Sequence, residues 1–319
     1  MRHTVLLVGA GQLGSRYLQG MVGAVSHLDI TVVDLSSRAL VKAKSRWIEA
    51  GGKHCHHHIT WANDIPSELE EIDLVLVVTS AKGRAELVKR IASQIAVRYW
   101  VLEKVLAQSL KEIEVITRAT DQAYGAWVNK PRRMMFWHQS LNKVFGSKGQ
   151  TKVIHLGNLL GLACNSMHFI DLISWWTKEK LSSIDLSGLD LHWFESKRAG
   201  YFEVTGKLIA HFSKGSTLTL ESCDHAAIQP LLIDLADGTT WKIDEVNGVA
   251  FSTNGDHIDG RIEFQSQLSG RLVDDILLRG QCALPSLEES ASMHTVFLES
   301  MLLHWNTSQK RNDICVPIT

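Results

Sequence analysis

Two side chains in this sequence of 319 residues are of the kind that manage a proton on a hydroxyl or carbonyl oxygen. Lys104 follows the apolar run Val101-Leu102-Glu103. An ammonium group at the end of a buried strand can hold a substrate oxygen and stabilise the alkoxide that develops on it. His168 is the second. Asn165 precedes it by three residues and Asp171 follows it by three, so both share its face in a helix. An amide or carboxylate beside an imidazole fixes its tautomer, as a general acid or base requires.

A third group of residues points to a nucleotide. The run Val5-Leu6-Leu7-Val8 leads into Gly9-Ala10-Gly11-Gln12-Leu13-Gly14. A strand that enters G-x-G-x-x-G and then a helix is a dinucleotide fingerprint. Gly9 permits the tight turn, Gly11 the close approach of a pyrophosphate, and Gly14 the packing of helix on strand. The phosphates would rest against Gly11, Gln12 and Leu13, where the N–H groups and dipole of the helix favour anions. Ile30-Thr31-Val32-Val33 ends in Asp34, at the spacing of a carboxylate that accepts ribose hydroxyls and repels a 2′-phosphate. This favours NAD(H). Ser36 and Arg38 lie near enough to admit NADP as well.

These residues require a scaffold. Val5–Val8, Ile30–Asp34, His58–Trp61, Asp73–Thr79, Arg98–Glu103 and Ala126–Asn129 read as strands, with helical patterns such as Gly83–Ile95 and Leu110–Gln122 between them. Continuous apolar strands alternating with helices predict a doubly wound parallel sheet, whose ligands bind at the carboxyl ends of its strands. Thr79, Ser80, Glu103 and Lys104 stand at such ends, as do Asn129 and Lys130. From residue 131 the pattern changes. Arg132–Phe145 and Ala163–Trp176 read as helices. Alternating runs follow at Tyr201–Phe212, Ser216–Ser222, Pro230–Leu235 and Thr239–Ile243, with an Asp237-Gly238 hairpin turn between the last two. Ser286–Trp305 reads as a closing helix. The expected organisation is a Rossmann domain over 1–130 and an α+β substrate and oligomerisation domain over 131–319, with a mainly antiparallel open-faced sheet.

Composition narrows the class. Lysine plus arginine total 33 against 34 acidic residues, for a net charge of −1, and no basic run would track a nucleic acid. The chain is 45% hydrophobic, as expected of a globular protein with a sizeable core. It has no segment that reads as a membrane span. Five cysteines without repeated spacing suggest a reducing compartment, so the cytoplasm is the expected location. His54-Cys55-His56-His57-His58 has metal-binding residue types, but neighbours on an extended segment point to opposite faces, and no metal site is expected.

Taken together, these motifs resemble those of the Gfo/Idh/MocA family of NAD(P)-dependent oxidoreductases, and the resemblance spans essentially the whole chain. Its glycine loop corresponds to Val8–Arg16. Its threonine-proline turn corresponds to Thr79-Ser80, without the proline, and the histidine that follows corresponds to Arg84. Its Glu-Lys-Pro corresponds to Glu103-Lys104-Val105. Its D-x-G-x-H-x-x-D-L stretch corresponds to Cys164–Leu172, which keeps His168 and Asp171 but has Cys164 where the family has aspartate. The segment Leu284–Ser290, with His294, His304-Trp305-Asn306 and Ile314–Thr319, resembles a branch associated with surface-polysaccharide sugars.

The resemblance implies a hydride passed between nicotinamide and a carbinol carbon of a sugar, amino sugar or nucleotide sugar. Lys104 would polarise the oxygen and His168 would be the acid/base, with Asn165, Asp171 or Cys164 orienting the imidazole. It further implies a homodimer or homotetramer. The loss of the aspartate leaves an alternative, a non-catalytic NAD-binding regulator or assembly protein.

Overall fold

The computed structural model describes residues 2–146, 149–157, 160–223 and 227–319. They form two compact units: Met1–Glu103, Glu112–Met134 and Glu263–Glu288 make the first, and Lys104–Lys111, Met135–Ile262 and Glu289–Thr319 the second. These units depart from a linear division at residue 130: Lys104–Lys111 belongs with the second, and Pro131–Met134 and Glu263–Glu288 belong with the first.

In the first unit the described strands are β1 (His3–Val8), β2 (Leu28–Val33), β3 (His58–Ala62), β4 (Glu71–Val77), β5 (Ala96–Glu103) and β6 (Gly125–Asn129). They form a sheet in the order β3-β2-β1-β4-β5-β6, every neighbouring pair parallel. The helices are α1 (Gln12–Met21), α2 (Ser37–Glu49), α3 (Arg84–Gln94) and α4 (Leu110–Ala119). Val5, Leu6 and Leu7 are all fully buried, because helices cover both faces of a parallel sheet and leave no polar side for alternation. The order reverses at β1 and β4, where a doubly wound sheet opens a crevice at its strand ends.

A further helix, α7 (Gln265–Arg279), packs on α1 in this unit. A Cβ at Gly20 would lie 2.8 Å from the Ser266 carbonyl oxygen, and one at Gly270 would lie 2.8 Å from that of Gly20. The two backbones therefore meet through small residues. Asp274 fastens the contact by accepting the N–H groups of Val25 and Ser26, each at 2.9 Å. Sequence reading did not anticipate this helix, although Leu268, Leu272, Val273, Ile276 and Leu277 carry its period and are buried.

The expected linking helix is divided into a 3₁₀ turn, Pro131–Met134, and α5 (Phe136–Phe145). The second unit holds β7 (Thr151–Gly157), α6 (Leu162–Thr177), β8 (Leu181–Glu195), β9 (Phe202–Phe212), β10 (Thr217–Ser222), β11 (Leu231–Leu235), β12 (Thr240–Asp244), β13 (Val249–Ser252) and β14 (His257–Asp259). α8 (Leu287–Gln309) follows α7, and most of it belongs here. Among the described residues the sheet order is β14-β13-β12-β11-β7-β10-β9-β8, with β7 and β10 parallel and the other neighbours antiparallel.

One face of this sheet is covered. Val153, Leu218, Leu220, Ile233, Trp241 and Ile243 are buried on it, while the alternate Lys152, Leu232 and Asp234 are exposed. α6 covers this face over β9 and β10. The Asp237-Gly238 turn joins β11 to β12 as its sequence indicates, with Gly238 at φ +84°. β8 was not anticipated. It is a long edge strand with register shifts and few buried side chains, so it lacks the apolar alternation that marks a strand in sequence.

Candidate functional site

In the first unit the glycine loop has the geometry its spacing implies. Gly9 has φ +102°, and a Cβ there would lie 2.8 Å from the carbonyl carbon and oxygen of Val78. A Cβ at Gly14 would overlap the Gly9 carbonyl oxygen. Gly11 is the opposite case: a Cβ there meets nothing within 4 Å. The first two glycines are demanded by the protein itself. The third stands beside open space at the start of α1, where no side chain caps the helix. The first N–H groups of a helix have no intrahelical acceptor, so this corner is built for an anion.

Asp34 lies just past β2. One carboxylate oxygen accepts from Ala10 N–H at 2.7 Å and the other from Ser36 N–H at 2.8 Å. The carboxylate is thus aimed by the glycine loop and retains lone pairs for ribose hydroxyls. Sequence reading did not foresee its tie to Ala10. The Gln12 side-chain oxygen accepts from Arg46 at 2.9 Å, so Gln12 presents its backbone to the corner. Leu13 is half-buried, and Arg38 is exposed in the first turn of α2. Thr79, with Ser80 after it, follows the end of β4. The buried Thr79 Oγ1 has no hydrogen-bond partner within the protein. These features fit a dinucleotide.

Glu103 requires a correction. Expected beside the cofactor, its side chain is instead only 5% exposed, and Oε1 accepts from Tyr17 Oη at 2.8 Å and Asn129 Nδ2 at 2.7 Å. It anchors the end of β5 from within the core. Burial and this carboxylate together hold the Tyr17 phenol well above its ordinary pKa. Arg84, in the family's histidine position, is also internal. Its guanidinium donates to the Glu103 carbonyl at 2.6 Å and to the Thr79 carbonyl, tying the ends of β4 and β5 together.

Of the histidine run, His57 is buried and its Nδ1 accepts from Leu28 N–H at 3.3 Å. The His56 ring packs between those of His27 and His57. Among the described residues, no cluster of three or more histidine, cysteine or acidic side chains is arranged for a metal ion.

The second unit contains a cavity of about 430 Å³, within the range of small-molecule sites. Lys104, Cys164, Asn165, Arg198 and Glu203 contribute to its wall, with Phe202 among the apolar residues. Lys104 begins a short segment that this unit holds firmly. Leu106 N–H donates to buried His294 at 3.1 Å, and Gln108 donates to the Ile318 carbonyl at 2.9 Å. The Lys104–Val105 peptide is cis. Lys104 Nζ donates to the Cys164 carbonyl at 3.1 Å, so the ammonium sits against the first turn of α6.

That turn starts unusually. Its N-cap is Gly161, at φ +68°, which has no side chain to offer. Glu203 of β9 supplies the missing acceptor, with Oε2 accepting from Ala163 N–H at 2.9 Å. A Cβ on Gly161 would lie 3.1 Å from both Cys164 Sγ and Asn165 Nδ2 and 3.2 Å from Glu203 Oε1, so these groups converge on one point. Burial raises the Glu203 carboxyl, and burial beside that carboxyl pushes the Cys164 thiol up to about 12. Cys164 is therefore a protonated thiol at neutral pH, and it donates to Glu203.

Asn165 donates to the Leu160 carbonyl at 2.8 Å, so this part of its amide fixes the start of α6. His168 is half-buried one turn beyond Cys164, and Asp171 is buried one turn further. The structure thus brings Lys104, Cys164 and Asn165 to one cavity, whereas His168, on the same helix, is not among the residues that line it. It adds Glu203, which sequence reading missed. Glu203 lies within an alternating strand pattern, and only its burial among apolar neighbours distinguishes it.

An oxidoreductase from Agrobacterium radiobacter in complex with NAD+, L-tartaric acid and magnesium superposes with a TM-score of 0.71. It is 14% identical, over 98% of this chain and 99% of its own. UDP-N-acetylglucosamine 3-dehydrogenase GnnA from Acidithiobacillus ferrooxidans gives 0.68 at 12% identity, over 94% and 96%. Myo-inositol 2-dehydrogenase from Lactobacillus plantarum gives 0.63 at 16%, over 96% and 98%. The chain shares their fold. No family model and no curated protein matches the sequence. Among the described residues no helix is long and apolar enough to cross a membrane.

Proposed function

We propose that this chain is an NAD(H)-dependent oxidoreductase of the Gfo/Idh/MocA type, passing a hydride between nicotinamide and a carbinol carbon of a sugar, amino sugar or nucleotide sugar. The observation that carries the reading is the glycine corner: Gly9 and Gly14 are required by the backbone around them, whereas Gly11 borders unfilled space. Shared fold with dehydrogenases of inositol and of UDP-N-acetylglucosamine supports the same reading. So does the crystallisation with NAD+ of a further protein of this fold, the oxidoreductase from Agrobacterium radiobacter.

The residues that would hold the dinucleotide are the backbone of Gly9–Gly14 for the pyrophosphate, Asp34 for the adenosine ribose, and Thr79 and Ser80 beyond β4. Ser36 and Arg38 flank Asp34 and would permit some use of NADP. When bound, the nicotinamide supplies the two-electron chemistry, which the protein's own groups lack.

The remaining work falls to side chains. Lys104 donates to the substrate oxygen and stabilises negative charge on it as the carbonyl and alkoxide interconvert. His168 exchanges the hydroxyl proton, with Asp171 and Asn165 of α6 steadying the helix that carries it. The first turn of α6 offers the substrate no aspartate, since Cys164 is a neutral thiol. The branch linked to surface polysaccharides, the cytoplasmic location and the homo-oligomer belong to this proposal as expectations.

The test is spectroscopic. The purified chain is mixed with NAD+ or NADH and a panel including myo-inositol and UDP-N-acetylglucosamine, with or without oxidation of the sugar, and the nicotinamide absorbance is followed. Turnover should appear with at least one substrate. Lys104→Ala and His168→Ala should each lower kcat by ~10²–10⁴-fold while NADH binding persists. Tight NADH binding without turnover on a broad panel would instead favour a non-catalytic NAD-binding regulator, the reading motivated by Cys164.

A further inference from the structure

Glu203 is in an unusual position for a strand residue. It is 7% exposed, yet it lies on the wall of the same cavity as Lys104. One carboxylate oxygen is engaged by Ala163 N–H at 2.9 Å, and the other lies close to Cys164 at the point where the Gly161 Cβ would be. Lys104 Nζ is held at 3.1 Å from the carbonyl of Cys164, so ammonium and carboxylate flank the same residue of α6.

A secondary alcohol needs two complementary partners. Its oxygen accepts from a donor, and its hydrogen is donated to an acceptor. Lys104 has three N–H donors and no acceptor. Asn165 already donates to Leu160, and Cys164 is a protonated thiol that donates to Glu203. Glu203 offers an acceptor for the hydroxyl hydrogen at the point where Gly161, Cys164 and Asn165 converge.

We infer that Glu203 is the substrate-binding carboxylate of this cavity, accepting a hydroxyl of a polyol whose oxygen is held by Lys104. The inference rests on reading the cavity as the substrate site of a polyol oxidoreductase. It assigns to β9 a role that the chain, with Cys164 in place of an aspartate, does not fill from α6. The small, neutral thiol leaves room beside Gly161 for a longer side chain arriving from the neighbouring strand. Phe202, adjacent to Glu203 in the strand and also on the cavity wall, offers an aromatic surface to the C–H face of a ring.

A purely structural role is the competing explanation, because Glu203 also caps α6. Glutamine separates the two: its side-chain oxygen can still accept from Ala163 N–H, but it carries no charge. The experiment measures how added probe protects the full chain against thermal unfolding, at a fixed concentration of NADH. The probes are myo-inositol, D-glucose and UDP-N-acetylglucosamine. At least one probe should raise the melting temperature of the native protein. In Glu203→Gln the probe concentration needed for the same protection should rise by about 10- to 100-fold, the worth of a hydrogen bond to a charged group.

Thermal melting of Glu203→Gln should stay close to that of the native protein. Should it fail to fold, Glu203→Asp keeps the charge but shortens the reach, and it should show weakened protection with a native-like melt. Equal protection in the folded variant, or no protection of the native protein by any probe, overturns the inference. Turnover is measured separately. Polyol protection lost in Glu203→Gln, without turnover of any substrate by the native chain, keeps the carboxylate and defeats the oxidoreductase reading. Turnover and protection that are both indifferent to Glu203→Gln keep the enzyme and defeat the carboxylate.

Discussion

The glycine corner of α1 and the first turn of α6 are both helix N-termini at candidate ligand sites, yet they are built in opposite ways. At α1 the backbone does the work, and three glycines within six positions of one another define it. At α6 the work falls to side chains from distant positions: Lys104 before it, Cys164 within it and Glu203 from a strand that follows. A backbone site is written locally, so its sequence pattern survives as a pattern. A side-chain site needs only that suitable groups arrive at one point, and any strand that reaches the point can deliver them.

The sharpest way to break the comparison is Gly14→Ala. At α1 the substitution drives a methyl group into the Gly9 carbonyl, and neither backbone segment can yield cheaply. The expected cost is about 3 kcal/mol, read as a fall in melting temperature of roughly 6–12 °C. A native-like melt would mean that the corner is less rigid than its geometry indicates.

Gly11→Val should behave quite differently. With nothing within 4 Å of the new Cβ, the fold should tolerate it, while NADH binding, followed by fluorescence titration, should weaken by about 10-fold or more, about 1.4 kcal/mol. Unchanged NADH affinity would remove the pyrophosphate from this position.

Gly161→Ala has the smallest expected effect of the three in free energy. A left-handed conformation at a non-glycine residue costs about 1 kcal/mol, or a melting shift of roughly 2–4 °C. Its methyl group would also press on Cys164, Asn165 and Glu203 together. The informative result is a KM raised more strongly than this modest destabilisation accounts for. A KM equal to that of the native chain would show that these three groups do not share a ligand.

The same contrast explains what sequence reading reached. The order of strands and helices over residues 1–130 follows from continuous apolar runs, and the structure reproduces it with ends shifted by a few residues. The hairpin at Asp237-Gly238 was legible because its turn chemistry is contained in two adjacent residues. β8 was not, because an edge strand exposed to solvent has no reason to alternate. Glu103 was misplaced because a carboxylate at a strand end looks the same whether it faces a ligand or, as here, Tyr17 and Asn129. Glu203 escaped notice for the complementary reason: its partners, Ala163 and Cys164, are some forty residues away along the chain. Cys164 was read as a loss, although what it leaves is space.

The return of α7 to the first unit has a consequence for how the molecule is made. The Gly20 face of α1 finds its partner in Ser266, Ser269 and Gly270, which are synthesised only after the whole of the second sheet. A nascent chain that has just completed β6 therefore holds a nucleotide corner whose supporting helix is still bare on one side. Cutting the protein after residue 262 should likewise yield a fragment that binds NADH poorly and aggregates, even though every glycine of the fingerprint is present. In this chain, the earliest residues wait on some of the latest.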